Sequence, residues 1–416
     1  MSILIKNVIL DGKKQDVYIE KERIKKIGKL NLKAKEKIDG QGEKALMPGF
    51  INCHTHSAMI LFRGLGENLP LKDWLEKKIW PLEAKLTEED VYWGTRMALL
   101  EMIKTGTTCF NEMYFYRKAQ IKAVEEMGLR ATLGLVLFDL EKNSRGRIER
   151  EYQDFSKILN NKISFSLAPH AVYTVSKGNL IWAKNFALKH NLILHIHLSE
   201  TEKEVKDCLK KYRLRPVQFL DKINFLSENT ILAHSVWLSD KEIKIIAKRK
   251  SSVIFNPCSN LKLAVGEILS YKKMKDEKIN VVLGTDGPAS NNSLDMIQEM
   301  KFASLIQKHK EKDAEQLPAK EILKVATLNG AKALKIDSGL IKVNKLADLI
   351  LIDLNKIYFQ SGHDFFSDLV YSATGDCVSD VICNGQILMK DKKIEQEENI
   401  QRNFKRTIKK LTKKEK

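Results

Sequence analysis

Long apolar runs are missing from this 416-residue chain. No stretch approaches the ~20 consecutive apolar residues that a membrane-spanning helix needs. Met1-Ser2-Ile3-Leu4-Ile5-Lys6 lacks the charged, apolar and small-residue regions of a secretory leader and reads as a first strand. The chain is therefore expected in the cytoplasm, without a membrane partner. Closely spaced cysteines are missing too. The six that occur, Cys53, Cys109, Cys208, Cys258, Cys377 and Cys383, contain no CxxC pair, which excludes a zinc ribbon and a dithiol redox motif and suits a reducing compartment. Most are expected to be small buried apolar residues. Cys53 is expected to point away from its neighbour His54, because successive strand side chains alternate faces. No glycine-rich GxGxxG turn follows the first strand of the central region, which argues against a dinucleotide-binding sheet.

What the chain has in excess is lysine. Its formal net charge is +18, yet the positive residues are interspersed with Glu and Asp, and no basic stripe with interleaved aromatics marks a nucleic-acid module. The expected reading is a solvated surface with no nucleic-acid partner; Lys/Glu richness also suits a protein from a hot environment. The densest basic run lies in the tail from Lys405 to Lys416.

Residues 3–30 show short alternating apolar runs broken by Asp11-Gly12 and Gly28, and the same texture returns at Ala347–Asp353 and Val378–Met389. Both ends of the chain are thus expected to build one small β-sandwich domain, from residues 1–46 and 341–395. Between them strand and helix patterns alternate. Eight strand-like runs, at Gly49–His54, Thr107–Asn111, Ala131–Phe138, Ile163–Leu167, Leu192–His197, Thr230–His234, Ser252–Asn256 and Asn280–Asp286, are separated mostly by segments of helical spacing. That number favours a (β/α)8 TIM-like barrel over residues 47–340. Thr87, followed by Glu-Glu-Asp, is placed to cap a helix that ends near Lys104 before Gly106. Residues 396–416 form a charged tail expected to be helical.

Only nine histidines occur, and several fall at predicted strand ends. His54-Thr55-His56 closes the first barrel strand, His197 the fifth, His234 the sixth and Asp286 the eighth. Side chains two apart in a strand share a face and can grip one ion. The C-terminal strand ends are where such a barrel builds its site, so polar residues at matching ends are hard to explain as core.

This constellation resembles the amidohydrolase superfamily. Pro48-Gly49-Phe50-Ile51-Asn52-Cys53-His54-Thr55-His56 looks like its PGxxxxHxH signature, His197-Leu198-Ser199-Glu200 like its HxxE, and Ala233-His234 and Gly284-Thr285-Asp286-Gly287 like its later strand ends. Within it the chain is similar to the 5′-methylthioadenosine/S-adenosylhomocysteine deaminases, including the 5′-deoxyadenosine deaminases. That narrowing rests on Leu61-Phe62-Arg63-Gly64, Trp80-Pro81-Leu82-Glu83, Ala168-Pro169-His170, Asn256-Pro257-Cys258-Ser259-Asn260 and Ala289-Ser290-Asn291-Asn292.

The resemblance implies one divalent metal held by His54, His56, His197 and Asp286. It implies catalytic roles for Glu200, His234 and Asp286, and nucleoside contacts from Glu83 and His170, with Glu200 and Asp286 also meeting the substrate. Three neutral imidazoles and a carboxylate suit zinc, or iron as the alternative. Pro169-His170 stands where two-metal relatives are expected to carry a bridging lysine, which favours a single ion. Relatives that accept S-adenosylhomocysteine can carry two arginines after the third strand; Arg147 corresponds to the second, and the first falls in the apolar run Leu133–Val136 and is absent. The expected reaction is hydrolytic deamination of adenosine, 5′-deoxyadenosine, 5′-methylthioadenosine or, less in keeping with the missing arginine, S-adenosylhomocysteine. Trp74 and Trp80 are expected to pack a lid, His190 and His363 to be structural or at the surface, and the chain to assemble as a homo-oligomer. Two other readings stay open: a relative acting on guanine, cytosine or a triazine, and a non-catalytic or RNA-associated barrel.

Overall fold

The computed structural model describes residues 1–158 and 162–413; the last three residues of the charged tail lie outside the described residues. The alternating runs at both chain ends meet in one sheet. From the N-terminal side come β1 (Ser2–Leu10), β2 (Lys13–Glu20), β3 (Arg23–Gly28), β4 (Glu36–Asp39) and β5 (Lys44–Pro48).

Eight parallel strands follow in chain order: β6 (Phe50–Thr55), β7 (Thr107–Glu112), β8 (Arg130–Leu137), β9 (Ile163–Pro169), β10 (Ile193–Leu198), β11 (Thr230–His234), β12 (Ser252–Phe255) and β13 (Val281–Leu283). Each pairs with its sequence neighbour. The seam between β13 and β6 is drawn together by a bridge between Thr55 and Asp286, where the Asp286 N–H donates to the His54 carbonyl at 2.9 Å. The expected (β/α)8 barrel is therefore present.

The C-terminal segment returns as β14 (Leu349–Asp353), β15 (Val378–Cys383) and β16 (Gln386–Met389), giving the order β16-β15-β14-β5-β1-β2-β3 with β4 paired to β1. The expectation of a small β domain built from both termini holds, and its eight strands share one continuous hydrogen-bonded network. Ile3, Ile5, Val17, Ile19, Leu349 and Leu351 form its apolar core.

Alternation along β6 decides what reaches the barrel interior. Asn52 turns inward to bond Thr285 at 2.7 Å, and His54 follows on the same face. Ile51 and Cys53 point the other way, so close to Gly330 of the helix Leu328–Ala333 that a β-carbon there would meet both. Cys53 is thereby the core residue the strand period predicts.

The predicted cap at Thr87 is a full capping box with Asp90 at the start of the helix Glu88–Lys104, and Gly106 (φ +89°) turns the chain left-handed beyond it. The tail helix Glu397–Lys413 lays Ile400, Phe404 and Leu411 inward and packs along Glu88–Lys104, with Lys410 reaching Asp90 at 3.3 Å. Among the described residues no helix is long and apolar enough to cross a membrane.

One buried ion pair ties barrel to sheet. Arg130 at the start of β8 meets Asp348 in a fork, Nε to Oδ2 at 2.9 Å and Nη2 to Oδ1 at 3.1 Å, and Asp348 also accepts the Asn384 N–H at 2.8 Å. Both side chains are at most 4% exposed. Removing one partner leaves the other charge buried and unpaired, so Arg130→Met is expected to destabilise the fold by about 3–5 kcal/mol. Urea denaturation followed by tryptophan fluorescence checks this; a loss below ~1 kcal/mol would mean the pair carries no such role.

Candidate metal centre and active site

The polar residues predicted at strand ends converge on one cavity of about 660 Å³. His56, Glu83, His170, His197, Glu200, His234, Asp286 and Arg147 all line it. His54 stands immediately beneath, fully buried, with its ring 4.8 Å from those of both His56 and His197. Two overlapping donor clusters share it, His54–His56–Asp286 and His54–His197–His234, each with donor atoms within 4.8 Å of one another. Asp286, His234 and Ser199 carry φ of +62°, +68° and +49°. Left-handed backbone at three strand ends is the kind of local strain that sites retain.

The hydrogen bonds orient the donors. His56 Nδ1 donates to the Met113 carbonyl at 2.5 Å and His197 Nδ1 to the His170 carbonyl at 2.9 Å. A carbonyl only accepts, so each neutral ring keeps a lone pair on Nε2, and these two Nε2 atoms face each other at 3.3 Å. His54 Nε2 is buried without a hydrogen-bond partner among the described residues, 3.3 Å from Asp286 Oδ1, which lies equally near His56 Nε2. Lone pairs converging with one carboxylate oxygen repel unless a positive charge lies among them. Protein-side chemistry thus fits a divalent-metal site.

Electrostatics agree. Burial holds His54 down at about 4, His170 at about 3 and His234 at about 4, and keeps His197 well below the usual range. Neutral imidazoles are the ligand form. His56 is the exception: burial opposes its charge, but Asp286, Glu112 and the Met113 carbonyl outweigh it and push it up to about 9. The site attracts positive charge at the spot where a cation fits. Asp286 is held well below the carboxylate range because His54 and His56 overcome its burial.

Asp286 is aimed by residues that sequence reasoning passed over. Ser259 Oγ and Ser290 Oγ donate to its Oδ2 at 2.6 and 3.0 Å, leaving Oδ1 for the histidines. His195 was also missed. It shares the inner face of β10 with His197, lies fully buried, and sets Nε2 3.0 Å from His54 Nδ1 and Nδ1 3.1 Å from Asn111 Nδ2. Its signal was available: His195-Ile196-His197 repeats the His-x-His spacing of residues 54–56.

Above this floor sits Glu200, 7% exposed, with Oε1 3.8 Å from His234 Nδ1. Burial, then the charge of Asp286, pushes its carboxyl up to about 8. Asn260 Nδ2 donates to His234 Nδ1 at 2.9 Å, which leaves the imidazole proton on Nε2. Glu83 closes the short helix Trp80–Glu83 and reaches the cavity rather than capping the next helix; burial raises its carboxyl against the pull of Tyr114 and His56. His170 Nδ1 lies 2.8 Å from Thr174 Oγ1. That hydroxyl points its own proton at the Ala171 carbonyl, so His170 donates and presents a bare Nε2. Trp74 and Trp80 line the cavity beside Leu71, Leu75 and Phe138.

Arg147 lines the same cavity but is engaged. Its Nε donates to both Glu141 oxygens at 2.8 and 2.9 Å, Nη1 to Glu151 at 3.0 Å and Nη2 to the Val136 carbonyl at 2.6 Å.

Comparison with known proteins decides the family. The amidohydrolase family model matches residues 45–388. The chain belongs to the amidohydrolase family. As an amidohydrolase it is 45% identical over 402 residues to 5-methylthioadenosine/S-adenosylhomocysteine deaminase 1 of Archaeoglobus fulgidus, covering 93% of each chain. It is also 45% identical over 401 residues to the 5′-deoxyadenosine deaminase of Methanocaldococcus jannaschii, covering 94% of this chain and 95% of that one. Among solved structures, an adenosine deaminase from Xanthomonas campestris with bound zinc superposes with a TM-score of 0.94 at 31% identity, covering 99% of this amidohydrolase and 98% of that chain.

Proposed function

We propose that this amidohydrolase deaminates adenine nucleosides hydrolytically, giving the inosine analogue and ammonia. The observation that carries the reading is Glu200: a buried carboxyl held near neutrality, 3.8 Å from His234 and over the converged histidines. Relatives 45% identical over nearly the whole chain bear deaminase names, which supports the same reaction here.

His54, His56, His197 and Asp286 would hold the ion, for which zinc is proposed and iron is the alternative. When bound, such an ion supplies Lewis acidity, lowering the pKa of water from ~15.7 toward ~7. The chain's own residues do the rest. Glu200, starting protonated, donates to a ring nitrogen as oxygen adds to the amine-bearing carbon. Asp286 Oδ1 accepts the proton released by the attacking water, and His234, with its proton on Nε2, orients that water. Asp286 then passes that proton to the amino group, which leaves as ammonia, while the added hydroxyl gives its proton back to Glu200 as the carbonyl forms and the ring nitrogen keeps the one it received. Glu83 and His170 contact the sugar, the first accepting hydroxyl protons and the second offering its bare Nε2.

The far end of the cavity bears on the 5′ substituent. Arg147 is the candidate partner for a substrate carboxylate, but its charge is already paired with Glu141 and Glu151, so an incoming carboxylate competes with two carboxylates for it. A panel reading ammonia release is therefore expected to show turnover of 5′-deoxyadenosine, 5′-methylthioadenosine and adenosine. S-Adenosylhomocysteine should follow with kcat/KM lower by about tenfold, the cost of ~1.4 kcal/mol of lost pairing. Turnover of guanine, cytosine or a triazine with none of adenine nucleosides would overturn the reading.

A further inference from the structure

The segment that delivers Glu200 is short and conformationally demanding. Ser199 is left-handed at φ +49°, a region that costs a non-glycine residue free energy. One side of the turn is held by the next loop: the Leu198 carbonyl accepts the Ser235 N–H at 2.9 Å, and the Ser199 carbonyl accepts those of Val236 and Trp237 at 3.1 and 2.8 Å. On the other side, the N–H groups of Ser199 and Glu200 enter the interior, where an unpaired amide costs about 1–3 kcal/mol.

Glu204 takes both. Its Oε1 accepts the Ser199 N–H at 2.8 Å and its Oε2 the Glu200 N–H at 2.9 Å. The residue is 4% exposed. It is the third residue of the helix Glu202–Tyr212, whose cap Thr201 accepts the Glu204 N–H at 3.2 Å. In an ordinary capping box a carboxylate at this position turns back to the N–H of the cap residue. Here it reaches past Thr201 to the two residues before it. Neither oxygen has an acceptor partner among the described hydrogen bonds, the pattern of an ionised carboxylate, although burial pushes the group up against the pull of those two bonds. Related devices recur around the barrel rim, where buried Glu112 accepts the Ser57 N–H and buried Glu299 the Cys258 N–H. Of the three, Glu204 alone grips the residue placed to donate the proton.

We propose that Glu204 is a positioning residue for the reaction: its carboxylate fixes the backbone of Ser199 and Glu200 and thereby aims the Glu200 side chain at the substrate ring. The inference rests on the assignment of Glu200 as proton donor. Glu204→Gln keeps the size but turns one acceptor into a donor facing an N–H, and Glu204→Asp shortens the reach. Each is to be compared with wild type, Glu200→Gln and the double variant Glu200→Gln/Glu204→Gln for kcat, KM, bound metal and thermal midpoint, with 5′-deoxyadenosine as substrate.

Misplacing a reacting group by about 1 Å costs up to ~100-fold in rate, so each single Glu204 variant is expected to lose about 10- to 100-fold in kcat. KM should stay within about threefold and metal content unchanged, because the lost interaction belongs to the transition state. The double variant should match Glu200→Gln within about twofold, since both changes disable one proton transfer. Losses that multiply in the double variant overturn the proposal, as does a lowered thermal midpoint with wild-type kcat. If wild type turns over no adenine nucleoside, the functional reading falls and takes this inference with it. Wild-type turnover that Glu204 variants leave intact removes the inference alone.

Discussion

Glu200→Gln is expected to lower kcat on 5′-deoxyadenosine by about 10²–10⁴-fold while keeping its full complement of metal. The carboxamide preserves volume in a site only 7% exposed, and Glu200 belongs to neither donor cluster, so nothing that would hold the ion is touched. What disappears is the acidic proton. Burial raises the wild-type carboxyl to about 8, which keeps it protonated at neutral pH. A group whose pKa is raised serves as an acid below that value and is lost as pH rises through it. Wild-type kcat should therefore fall on the alkaline side, at or below pH 8 because a bound cation pulls the carboxyl down, and the variant's residual rate should lack that limb. Steady-state rates across pH, with metal measured by mass spectrometry on the same samples, check both halves. A variant that retains wild-type kcat, or loses its metal, contradicts the assignment.

Asp286→Asn should act on both metal and turnover. Asp286 supplies the negative charge of the donor set, and its Oδ1 lies 3.3 Å from His54 Nε2 and from His56 Nε2. The amide is nearly isosteric, and Ser259 and Ser290 still have an oxygen to bond. The fold should survive. The loss of charge removes both an anionic ligand and the proton acceptor, so bound metal is expected to drop below about a tenth of wild type and kcat by more than ~10³-fold. His56 should also lose its strongest support and titrate closer to the ordinary histidine range. Full metal occupancy in the purified variant would show that the histidines alone hold the ion and that Asp286 has another task.

The parts of this site that were legible in the sequence lie at the ends of strands. Period-two alternation turns Asn52 and His54 into the barrel and Cys53 out of it, and the same rule shows which of two neighbours faces the chemistry. Residues that act by pairing across the fold were not legible. Ser259 meets Asp286 27 positions away, and His195 meets His54 across 141. Nothing local marks either serine as an orienting group. The fate of Arg147 is a further instance: the sequence singled it out, but its place in the cavity wall and its engagement by Glu141 and Glu151 depend on how the helix Ser144–Phe155 sits against β8. Glu204 looks like a helix cap in sequence, since Thr201-Glu202-Lys203-Glu204 has the spacing of a capping box; only the backbone path of Ser199 shows where its carboxylate goes. The tail helix was expected from composition, but its apolar stripe against Glu88–Lys104 becomes evident only once both helices are placed.

The seam of the barrel carries a last consequence. First and last strands are drawn together at their ends by the bridge between Thr55 and Asp286 and by the bonds between Asn52 and Thr285, and the proposed ligands straddle this seam: His54 and His56 on one lip, Asp286 on the other. An ion gripping both lips is a non-covalent cross-link between residues more than two hundred positions apart, closing nearly the whole barrel into one loop. It opposes unfolding as a staple does, by favouring the closed form through mass action. If those residues hold the ion, removing it with a chelator is expected to lower the thermal midpoint together with the rate.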